Sequence, residues 1–75
     1  MSVEQQIAEF AESVLAEHAN EYIVLHHEPD ENLIEEILSI GAVFIPPNVA
    51  ELPDILFDKG WSCMGRVQQY VMYIR

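Results

Sequence analysis

No lysine or arginine occurs before position 59 in this chain of 75 residues, whereas all 13 aspartates and glutamates lie between Glu4 and Asp58. The three bases are Lys59, Arg66 and Arg75, so residues 1–58 carry −13 and residues 59–75 carry +3. A helix in the acidic stretch must form without Glu–Lys pairs one turn apart, each of which would add ~0.2–0.5 kcal/mol. Its stability has to come from burying an apolar stripe. The composition supplies one: 51% of the residues are hydrophobic, too many for a disordered chain in spite of the net charge of −10. Length and composition together imply one acidic domain over 1–75. A domain of this size buries only roughly 60% of its unfolded surface, so each core side chain matters.

The hydrophobic pattern changes period along the chain. In residues 2–19, Val3, Ile7, Phe10, Ala11, Val14, Leu15 and His18 recur at spacings of three and four, which predicts an amphipathic helix. Ser2 with Gln5 has the spacing of a capping box, and Asn20 is a plausible stop. Tyr22 to His27 reads as a strand, apolar on both faces at first, as suits a central strand covered by helices. A second helix is expected over 31–40, with Asp30 as N-cap, a stripe of Leu33, Ile34, Ile37 and Leu38, and Gly41 as a left-handed C-cap. Ala42 to Ile45 then reads as a short buried strand, and the strand–helix–strand unit allows a parallel pair.

A short third helix is expected within 48–59. It starts either at Asn48, with Glu51 as capping-box partner, or at Pro53 as its first residue, since proline fits only the first turn. Ile55, Leu56 and Trp61 would supply core surface. The tail fits both periods, but valine, tyrosine and isoleucine favour a strand over 66–74. The expected fold is therefore α+β, in the order α-β-α-β-α-β, with two to three helices packed on a sheet of about three strands.

Charge and composition exclude several classes of function. Nucleic acid and anionic membrane surfaces are bound through Lys and Arg, the residues this chain lacks. The longest apolar runs, Tyr22 to Leu25 and Ala42 to Ile45, are too short to span a bilayer. The N-terminus has no basic region followed by an apolar run, and a single cysteine fits a reducing compartment, so a cytoplasmic protein is expected. Cys63 reads as a small buried apolar residue, because no histidine motif or low-pKa setting accompanies it.

His26, His27, Glu28, Asp30 and Glu31 are the densest set of potential metal ligands. On a strand, however, His26 and His27 would point to opposite faces, so the set reads better as a strand end leading into an acidic helix start. No metal and no cofactor is expected. The serines lie in no nucleophile motif and the three glycines form no phosphate loop, so no enzymatic activity is expected. His18 and the aromatic and methionine residues near the end read mostly as core.

The unanswered acids are the feature least well explained by solubility alone, because their mutual repulsion works against a small fold. A field of that sign attracts basic proteins. The strongest expectation is a protein-binding inhibitor that occupies the basic site of a nucleic-acid-handling protein. Such a DNA mimic would be of the phage (viral) anti-defence or immunity type. Glu9, Glu12, Glu17, Glu28, Asp30, Glu31, Glu35 and Glu36 would meet the partner. The alternative is a small adaptor or regulatory protein, homodimeric through its C-terminal strand, with acids that serve solubility only.

Overall fold

The computed structural model describes residues 2–15 and 21–75. Among the described residues, three helices, α1 (Val3–Leu15), α2 (Glu31–Ile40) and α3 (Leu52–Asp58), pack on one sheet. Its strands are β1 (Ile23–Val24), β2 (Ala42–Ile45), β3 (Ser62–Val67) and β4 (Tyr70–Ile74). The protein is an α+β domain, with one strand more than the sequence suggests.

Alternation along the strands divides the interior in two. β2 sends Ala42 and Phe44 to one face, where Ile7, Ala11 and Leu15 of α1 join Val67, Tyr70 and Met72. It sends Val43 and Ile45 to the other face, where Ile37 of α2 and Leu52 and Leu56 of α3 join Trp61 and Tyr73. All four β2 side chains are buried, as expected of a strand covered on both faces.

The sheet order is β1-β2-β4-β3. β1 runs parallel to β2, and β4 is antiparallel to both β2 and β3. The parallel pair across α2 matches the sequence reading; the ranking of the strands does not. β1 lies at an edge, is shorter than the 22–27 run and is only half-buried. The centre belongs to β2 and β4. The C-terminal segment forms a hairpin rather than a single strand, turning at Gln68 and Gln69. Gln68 adopts φ 57°, a left-handed conformation that asparagine or glycine would have advertised.

Local chemistry places the helix ends. Ser2 Oγ accepts from the Gln5 amide at 3.2 Å, and Asp30 Oδ1 accepts from Leu33 N at 2.8 Å. Gly41 closes α2 at φ 93°, its amide donating to the Ile37 carbonyl. α3 begins with Pro53 inside its first turn, close to the later of the two expected starts. Asn48 does not cap it; its side-chain amide donates to the His26 carbonyl at 3.3 Å. Ile55, expected in the core, is exposed, while Leu56 and Trp61 are buried. The helix expected over 2–19 is seen as far as Leu15; His18 and Asn20 lie outside the described residues.

Cys63 departs from the expectation of a buried thiol: it is free and exposed. It sits on an edge strand, where the register slips between Cys63 and Gly65 and leaves Met64 as an extra residue. An edge strand has a paired neighbour on one side only, so its side chains are covered less than those of β2 and β4.

Candidate functional site

The connections set a common direction for the helices. α2 descends from the carboxyl end of β1, and α3 from the carboxyl end of β2. Gln68 Nε2, in the hairpin turn, donates to Gln6 Oε1 at 2.8 Å, which brings the start of α1 to the same end. Two long-range contacts lock the loops there: the Asn48 bond to His26, and the Ala50 amide, which donates to Glu28 Oε1 at 3.2 Å.

That end of the sheet therefore gathers Glu4, Glu28, Asp30, Glu31, Glu51 and Asp54, from the first turns of the helices and the segments that precede them. Part of the arrangement is structural. Asp30 and Glu28 each accept from a backbone amide, and acids near a helix start offset its positive dipole end. The offset is small, about half a charge per helix, and Arg66, paired with Val71 beside the hairpin turn, adds one positive charge there, so six carboxylates still leave the end negative. The opposite end holds the helix C-termini. There the Arg75 guanidinium donates to the Leu38 carbonyl at 2.9 Å and its amide to the Gly41 carbonyl at 3.0 Å. Lys59 directly follows α3 at the same end.

The expected contact residues divide by layer. Glu28, Asp30 and Glu31 come together at the acidic end, and Glu35 and Glu36 continue from it along the exposed side of α2. Glu9 and Glu12 are exposed on α1, on the opposite face of the sheet, so they do not share a flat surface with the acids of α2. Glu17 lies outside the described residues. Sequence reasoning missed Glu4, Glu51 and Asp54. The signal available for them was their place in or just before a first turn, where acids favour helix starts.

A cleft opens beside the acidic end. α1 leans toward β3, with Phe10 closing on the Gly65 backbone, and so leaves the β1 side of its face uncovered. The cleft has a volume of about 460 Å3 and is lined by Val3, Glu4, Ile7, Tyr22, Val24, His26 and Tyr70. Tyr22 stands edge-on to Phe44, with ring centres 5.5 Å apart. The Tyr70 hydroxyl and His26 Nδ1 lie 3.4 Å apart, their rings nearly perpendicular. In the sequence, His26 stands out only within the set of potential metal ligands at the strand end; its place beside Tyr70 is set by the fold. Among the described residues, no three His, Cys, Asp or Glu side chains converge on a metal position, and no helix is long and apolar enough to cross a membrane.

Fold and site together define a small α+β domain with an acidic end and an adjoining aromatic cleft. No protein-family model, no curated protein and no solved structure matches this chain.

Proposed function

We propose that this protein binds a basic protein in the cytoplasm and inhibits it by occupying its nucleic-acid site in place of phosphate groups. Phage counter-defence proteins and immunity proteins against nucleases work in settings of this kind. The observation that carries the reading is the gathering of six carboxylates at one end of the sheet, where the β3–β4 register sets Arg66 as their one nearby base among the described residues. Carboxylates from three helix starts share one end of the sheet, while Arg75 is tied down at the other. An end with six carboxylates against the single guanidinium of Arg66 steers a basic partner over distances of about a Debye length, ~10 Å at 0.1 M salt.

The test is competition. The protein should displace duplex DNA from its partner, with an affinity that falls steeply as salt rises. Changing Glu31, Glu35, Glu36 and Glu51 together to lysine should cost ~2–5 kcal/mol of binding. These side chains are exposed, and Asp30 and Glu28, which hold the fold, stay in place. The adaptor alternative rests on a different observation. β4 is enclosed between β2 and β3, so self-association would run through the outer edge of β3, flanked by the exposed Met64 and by Phe57, 53% exposed. Binding that tolerates both high salt and the fourfold reversal would favour that alternative.

A further inference from the structure

The cleft between α1 and β1 has a chemistry that the acidic surface alone does not explain. Val3, Ile7 and Val24 give it apolar walls, Tyr22 and Tyr70 give it aromatic rings, Glu4 gives it a carboxylate and His26 an imidazole. Among the described residues, its lining includes no lysine or arginine. Its volume of about 460 Å3 lies within the roughly 300–1,000 Å3 typical of small-ligand pockets. That is ample for one long side chain and too little for a helix or strand of a partner.

We propose that this cleft receives a single arginine side chain of the basic partner, an inference that rests on the function proposed above. Arginine matches the apolar, aromatic and acidic groups of the lining. Its aliphatic stem covers apolar wall. Its planar, weakly hydrated guanidinium stacks on an aromatic ring and pairs with a carboxylate through two parallel hydrogen bonds. Lysine offers a compact, strongly hydrated charge and makes poorer use of the rings. Glu4 belongs both to the cleft and to the acidic end, so a partner steered to that end has the cleft within reach of one side chain.

The experiment needs no partner. N-acetyl-arginine amide is titrated into isotope-labelled protein while backbone amide shifts are followed. Its neutral isostere, N-acetyl-citrulline amide, serves as the control. The arginine probe should move the amides of Glu4, Val24, His26 and Tyr70 saturably, the citrulline probe should not, and Glu4→Gln should weaken arginine binding about fivefold to tenfold. The inference is overturned if the cleft amides stay still, if citrulline binds as well as arginine, or if Glu4→Gln changes nothing. Should the cleft ignore arginine while salt-dependent competition with DNA persists, only this inference fails. Should arginine bind the cleft while no competition with DNA is seen, the proposed function fails and the cleft assignment stands.

Discussion

At the residue scale, two glycines show how the fold tolerates or forbids a single methyl group. Gly41 has φ +93°, and a Cβ there would lie 3.5 Å from Arg75 Nη2, an atom at the end of a movable side chain. Gly65 has φ +146°, and its Cβ would lie 2.8 Å from Phe10 Cζ, part of a ring edge-on to Phe44 in the core. Gly41→Ala should cost roughly 1–2 kcal/mol from backbone strain alone. Gly65→Ala should cost roughly 2–5 kcal/mol, because overpacking adds to the strain. Urea denaturation of the two variants checks the order; equal costs would mean that Phe10 yields freely.

Tyr73 supplies a pH dependence at the same scale. It is buried against Phe57, ring centres 5.5 Å apart. Burial raises its phenol pKa above 10.0, and negative charge at Cys63 and Asp54 pushes the same way. The folded state therefore keeps the proton that the unfolded chain gives up first. This contribution to stability is fully present below pH ~10 and is lost as pH rises through the folded value. The melting temperature should fall across that alkaline range, and Tyr73→Phe should flatten the fall. An unchanged slope in the variant would assign the effect to other groups.

At the element scale, α2 carries two roles that a substitution can separate. Asp30 caps it through the Leu33 amide and also contributes charge to the acidic end. Asp30→Ala should cost ~1 kcal/mol, which in a domain of this size lowers the melting temperature by roughly 4–8 °C. Asp30→Ser should keep most of the stability, because a serine hydroxyl also caps. If the acidic end binds a partner, both variants should bind more weakly, and only the alanine should melt early. Calorimetry with binding measured alongside distinguishes the two effects; a serine variant that binds at full strength would limit Asp30 to capping.

At the scale of the whole molecule, six carboxylates face Arg66 alone at the helix-start end, while Lys59 and Arg75 share the other end with Glu21 and Asp58. Net charge of −10 on a chain of 75 residues makes the compact state repel itself. Moderate salt should therefore raise the melting temperature by screening that repulsion, while the same salt weakens association with a basic partner. The two responses have opposite signs and a single cause. A melting temperature that falls on adding sodium chloride would show that attractions, not repulsions, dominate the folded state.

Features that depend on neighbours a few residues away could be read from the sequence. The stripe Leu33, Ile34, Ile37 and Leu38, the cap at Asp30 and the stop at Gly41 were legible because a helix closes its hydrogen bonds within one turn. Glu28, Asp30 and Glu31 were legible as a group for the same reason. Tertiary structure alone decided which strand is central, since a strand finds its partners far along the chain. The apolar run at Tyr22 to Leu25 looked central but lies at an edge, because β4 takes the other side of β2. The same long-range pairing exposes Cys63 at a bulge and buries Tyr73. It brings Glu4, His26 and Tyr70, distant in sequence, to one cleft. Periodicity records which side of an element is apolar; only packing decides what that side meets, because strand order and helix placement are settled by contacts that no local pattern contains.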